Sequence, residues 1–369
     1  MKKNIAWIDT IRVLASFLVI FCHYLMCDGF THDFRMTVRL YEVAVMCIAL
    51  FFAISGYLIH PSLERKKSLA DYYRKKMIRL IVPFTVCYLV MSAGMSTLSV
   101  FDERFIEKVP LFHALFGAKY FNVLLGMFPV NLNIVMFLGL DISWFTGEWF
   151  MGIILCMFLL SPLLDKVAVK APLLAIVGSI ALSYLVYNAV DGWEQRELIQ
   201  ARWSLCLVRI PEFLFGMILF IHREKLLRWR TKLVVGSLVY LAIQLAYFVH
   251  TYPPQGAFFL PGNPNSFVLT LPIIYLIFTA VEKLNEFDFA AMDWFNSFSG
   301  ISYMAMLSQH MIIYLFANAL DDFAGLSLFG TAYMLGLITW VIVVVSQKLQ
   351  ECSAPVEKWF LKKREVSTT

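Results

Sequence analysis

Three ionisable residues stand in the first long apolar run of the chain: Asp9, Arg12 and His23. Inside hydrocarbon such groups are expensive and by default mark a functional site. The eleven residues from Arg12 to His23 turn a helix through about 1,100°, three turns and a small remainder, so the two side chains share one face. They lie about 16 Å apart along the axis, with Arg12 in the inner half of a membrane and His23 towards the outer interface. A neutral imidazole, with an unperturbed pKa of about 6.5, can take a proton from a hydroxyl as a general base or form a covalent intermediate itself. Arg12 either serves the site with Asp9 as its orienter, or pairs with Asp9 one turn away and so lowers the cost of burying both charges.

The elements that must position these groups follow from composition. Of 369 residues, 60% are hydrophobic and 15% charged, against about 45–50% and about 25% in soluble domains. Apolar runs near 5–26, 42–60, 80–98, 148–165, 172–189, 206–221, 233–250, 267–281, 301–319 and 327–347 approach the roughly 20 residues a helix needs to cross a bilayer. They are too long and continuous for barrel strands, and an unpaired amide in lipid costs several kcal/mol. The expected fold is an all-α, polytopic transmembrane bundle of about ten spans. Counting from Met1 inside, 22 of the 31 Lys and Arg fall on inner segments, which places both termini in the cytoplasm. The first run carries charge and has no small-residue cleavage site, so it is a retained helix rather than a signal peptide. Residues 1–348 are expected to form one transmembrane domain and 349–369 a short basic cytoplasmic tail, in the cell membrane.

Between spans, residues 99–147 form a long outer segment of mixed aromatic, Gly and Asn content, expected to be a lid or re-entrant element. A Pro- and Gly-rich outer loop, His250 to Phe267, is expected to shape an outer mouth. Arg65, Lys66, Lys67, Arg74, Lys75, Lys76 and Arg79 crowd one inner loop, either to set topology against anionic lipid or to clamp a phosphate. Ser55-Gly56 is either a small-residue packing site or part of a ligand route. Arg209 and Glu212 are one helical turn apart, and His310 falls within a late span. The remaining histidines lack partners at metal-ligand spacing and the seven cysteines form no disulfide framework, so no metal is expected.

Asp9-x-x-Arg12-x-x-Ala15 followed by His23 resembles the opening motif of the acyltransferase 3 family of integral membrane O-acyltransferases. In order along the chain, Phe51-Phe52-x-x-Ser55-Gly56-Tyr57-Leu58, Arg79-Leu80-Ile81-Val82-Pro83, Arg209-x-x-Glu212-Phe213-x-x-Gly216, and Ser302-Tyr303 followed by His310 continue the likeness, which spans about residues 5 to 345. Around Trp144, Phe145 and Glu148 the chain departs from the family's Trp and acidic positions.

The resemblance implies transfer of an acyl group, acetyl first among them, from cytosolic acyl-CoA to a hydroxyl on a cell-surface or exported glycan or lipid-linked sugar. His23, Arg12 and Asp9 would be catalytic. Arg79, Ser55, Gly56, Lys75 and Lys76 would bind the donor, and Glu148, Arg209 and His310 the acceptor. Acetyl-CoA is then a donor substrate, the partners are acyl-CoA, the acceptor and membrane lipid, and no nucleic acid is involved. The alternative is a membrane transporter of a small solute or acyl group, since buried Arg and His also build transport pathways.

Overall fold

The computed structural model describes residues 6–27, 34–101, 148–189, 205–251, 265–284, 290–319 and 326–362. Residues 102–147 of the expected lid, most of the Pro-rich loop, and the Glu148 side chain lie outside the described residues. Every regular element described is helical: α1 (Ala6–Cys27), α2 (Phe34–Glu64), α3 (Leu69–Phe101), α4 (Glu148–Lys170), α5 (Pro172–Ala189), α6 (Cys206–Ile221), α7 (Arg223–Arg228), α8 (Arg230–Thr251), α9 (Asn265–Leu284), α10 (Ala290–Ser297), a 3-10 turn (Phe298–Ile301), α11 (Ser302–Ala319) and α12 (Leu328–Lys362). All ten expected apolar runs fall on these helices. Seven of the described helices are long and apolar enough to cross a membrane.

Lipid as solvent explains an outside that would be untenable in water. Leu173 and Phe329 are 76% and 82% exposed, and α8 presents Val235, Leu238, Val239 and Ile243 along one exposed face. The polar economy is equally membrane-like. Pro211 inside α6 deprives the Leu207 carbonyl of its helical donor, and the Ser183 hydroxyl of α5 lies 3.3 Å from that oxygen. Neighbouring Ser side chains of this kind are what let proline stand in a membrane helix.

The centre of the bundle is α6, from which Val208, Arg209, Glu212, Phe213 and Met217 are all essentially shut off from solvent. It crosses α2 where a glycine of each helix lies directly against the other helix's backbone. A Cβ on Gly56 would run into the Phe213 carbonyl, and one on Gly216 into the Ala53 carbonyl. Small residues let membrane helices approach this closely. Because the obstacle on each side is backbone, Gly216→Ala must push the helices apart, at about 1–3 kcal/mol. Thermal unfolding in detergent is expected to show a clear loss, with Gly236→Ala near wild type because nothing lies within 4 Å of its would-be Cβ.

One end of the bundle collects the basic segments. His60 Nδ1 lies 2.7 Å from Asp165, a His222 ring nitrogen 3.0 Å from the Ala168 carbonyl, and Arg223 2.6 Å from Glu282, while Arg74 reaches the Leu361 carbonyl. These contacts bring the ends of α2, α4, α6, α9 and α12 and the start of α3 together. Among the described residues, the Lys and Arg of these segments that carry the charge bias therefore share one face. The last helix runs unbroken from Leu328 to Lys362, straight through residues 348 and 349.

Candidate functional site

Just inside the basic end lies a cavity of about 490 Å³, within the range of small-molecule sites. Its walls come from helices far apart in sequence: Arg12 of α1, Ser55 of α2, Arg79 and Pro83 of α3, Phe158 of α4, Ser302 and Tyr303 of α11, and Gln350 and Glu357 of α12. Four of the five motif segments thus converge on, or directly against, one space. The α3 wall is shaped by Pro83, which leaves the Arg79 carbonyl without its helical donor. In the same turn the Tyr303 hydroxyl donates to the Leu80 carbonyl at 3.0 Å, locking α11 to α3 beside the cavity.

Arg12 lies 3.7 Å from Asp9, each side chain about a quarter exposed. At this distance the pair is an ion pair without a short hydrogen bond, which leaves the guanidinium donors available to an anion in the cavity. Ser55 lines the cavity while its neighbour Gly56 faces α6, so the two halves of the dipeptide have different jobs. Lys75 is outside the lining, 2.8 Å from Asp71. Lys76 also stays out of it and sits 5.2 Å above the ring of Phe158, a cavity-lining residue.

His23 stands away from this cavity, further along the same helix. Its Nδ1 is 2.8 Å from Gln309 Nε2, and its ring centre is 5.4 Å from that of His310. Thr10 meets Asn296 at the other end of α1, and both hydrogen-bonded pairs are 286 residues apart in sequence. Hence α1 and the α10–α11 segment run parallel and in register. On α11, Ser302, Tyr303 and Met306 line the cavity, and Gln309 and His310 occupy the next turn beside His23. The α1/α11 pair therefore links the Arg12 cavity to the histidine cluster.

Gln309 did not stand out in the sequence, although an amide inside an apolar run is itself an anomaly. With its Nε2 facing the ring, Gln309 donates to His23 Nδ1, which leaves the imidazole proton on Nε2, and among the described residues Gln309 Oε1 is buried without a hydrogen-bond partner. Rotating the amide through 180° gives Oε1 the Nδ1 proton and frees the Nε2 lone pair. The second state is the one that can act as a base, and it satisfies the buried oxygen. Removing the amide would leave Nδ1 unpaired at about 1–3 kcal/mol, roughly ten- to hundredfold in rate. Gln309→Leu is expected to lower kcat by that much with KM little changed, and Gln309→Glu, an acceptor for Nδ1–H, to retain more activity than Gln309→Leu.

Arg209 is placed behind the cavity rather than on its wall. Its guanidinium is 3.2 Å from Glu212 and 5.3 Å from the centre of the Phe52 ring, with a 3.4 Å bond to the Val45 carbonyl. Phe52 in turn stacks on the cavity-lining Phe150 at 5.4 Å. Gln350 and Glu357, by contrast, reach the cavity from the part of the chain expected to be tail, and Glu357 is close enough to Arg79 to interact with it electrostatically. Basicity and sequence position alone concealed them, because α12 outruns its apolar stretch.

Among the described residues no group of His, Cys, Asp and Glu could hold a metal ion. No curated protein and no solved structure matches the chain. A family model described as an acyltransferase domain, that of acyltransferase 3, matches residues 5–346, nearly the whole length and including every segment that builds the cavity and the histidine cluster up to that residue. This multi-pass helical protein therefore belongs to the acyltransferase 3 family and is a membrane acyltransferase.

Proposed function

We propose that the protein moves an acetyl group from cytosolic acetyl-CoA to a hydroxyl of a cell-surface or exported glycan, or of a lipid-linked sugar, across the cell membrane. The observation that carries this reading is the convergence of Arg12, Ser55, Arg79, Ser302 and Tyr303 on one cavity at the basic end, on the same helix pair that holds His23 deeper in the bundle. The phosphates of the donor would meet Arg79 and Arg12, for which guanidinium groups offer paired donors. The pantetheine arm would enter beside Ser55. The acceptor hydroxyl, arriving from the other end, would give its proton to His23 Nε2 as its oxygen attacks the thioester carbonyl carbon. The carbon–sulfur bond then breaks, and the proton passes to the departing sulfur to give free coenzyme A.

In this reading Arg209 and Glu212 hold α6 against α2, and Lys75 helps set charge at the membrane surface. The test is release of free thiol from acetyl-CoA by the purified protein in lipid, with an envelope extract as acceptor. Arg79→Ala is expected to raise the KM for acetyl-CoA about tenfold or more, in line with the loss of one charged hydrogen-bond partner, with kcat less affected. An unchanged KM in both Arg79→Ala and Arg12→Ala would place the donor elsewhere.

A further inference from the structure

A second cavity, of about 860 Å³, opens at the same basic end and shares no lining residue with the first. Its polar side is made by Arg65, Arg223, Lys225 and Arg228, with Glu64 and Glu224 as the opposing charges. Arg223 is already engaged, clamped by Glu282 through two hydrogen bonds, and the Arg65 Nε donates to the Pro61 carbonyl. That leaves the charges of Arg65, Lys225 and Arg228 against those of Glu64 and Glu224, a net positive pocket. Its other side is apolar, formed by Tyr57, Leu58, Phe220 and Ile221.

The rim decides what kind of anion fits. Trp229 lines the cavity, is 51% exposed, and carries the Lys232 ammonium 4.9 Å above its ring. It immediately precedes α8, whose exposed Val235, Leu238, Val239 and Ile243 continue the surface outward. A tryptophan–lysine pair at the end of a lipid-facing helix is the arrangement found at the headgroup level of a bilayer. A soluble phosphate would use the cations and leave the apolar stripe idle, whereas a phospholipid uses both. Basic pockets between membrane helices are known to take anionic headgroups.

We infer that this cavity binds an anionic phospholipid, with its headgroup phosphate between Lys225 and Arg228 and its acyl chains along the exposed face of α8. The site lies outside the cavity assigned to transfer and does not depend on that assignment.

The test uses the full chain in nanodiscs of phosphatidylcholine doped with phosphatidylglycerol, followed by native mass spectrometry of the released protein. Wild type is expected to retain phosphatidylglycerol, and Lys225→Ala/Arg228→Ala to lose roughly tenfold or more of that occupancy. Both side chains are exposed, so the change does not threaten the fold. Lys66→Ala/Lys67→Ala, equally exposed and outside the lining, is expected to retain lipid as wild type does. Equal retention by wild type and the Lys225→Ala/Arg228→Ala variant would mean annular lipid only and overturn the inference. So would displacement of the lipid by inorganic pyrophosphate or adenosine 3′,5′-bisphosphate, which would make this a site for a soluble phosphate.

Discussion

His23→Ala is expected to lower thiol release from acetyl-CoA by about 10²- to 10⁴-fold, the range for loss of a general base, without loss of folded protein. The side chain is held in place by Gln309 at 2.8 Å and by the neighbouring His310 ring, and among the described residues it tethers no distant element beyond α11. Its removal therefore takes away a reactive group more than a structural one. His310→Ala is the comparison: it keeps the His23–Gln309 bond and should cost less. The measurement is acceptor-dependent thiol release by both variants and wild type in lipid, with thermal unfolding as the check on folding. If wild type released no thiol from any acyl-CoA while remaining folded, the buried Arg and His would be better read as a transport pathway, and uptake of solute would be the quantity to follow.

Arg209→Leu is expected to cost about 3–5 kcal/mol of stability, because it leaves the Glu212 carboxylate buried without its counter-charge. Arg209 and Glu212 are 1% and 0% exposed, and neither Glu212 oxygen has a hydrogen-bond partner among the described residues, so nothing nearby can take over from the guanidinium. The double variant Arg209→Leu/Glu212→Leu should recover most of the loss, since replacing a buried pair by apolar groups is often close to neutral. Thermal unfolding of the three proteins in detergent checks this. A stable Arg209→Leu variant with abolished acyl transfer would instead give the pair a part in the reaction, in keeping with the acceptor-binding role that the family motif suggests.

The all-helical membrane character was determined by the sequence alone, since runs of apolar residues long enough to cross a bilayer leave the backbone no other way to satisfy its amides. So was the family, because the motif spacings from Asp9 to Tyr303 can be read without coordinates. The shared face of Arg12 and His23 also followed from helical geometry. What periodicity could not supply was the partner on the other side of each helix. That Ser55 and Gly56 point to different neighbours, that Arg209 backs onto Phe52 instead of lining the cavity, and that Gln350 and Glu357 enter it from beyond the last apolar run are consequences of how the helices cross. Gln309 meets His23 only because α1 and α11 run parallel in register. A single chain encodes that pairing through the packing of all the helices together, so only the tertiary structure decided it.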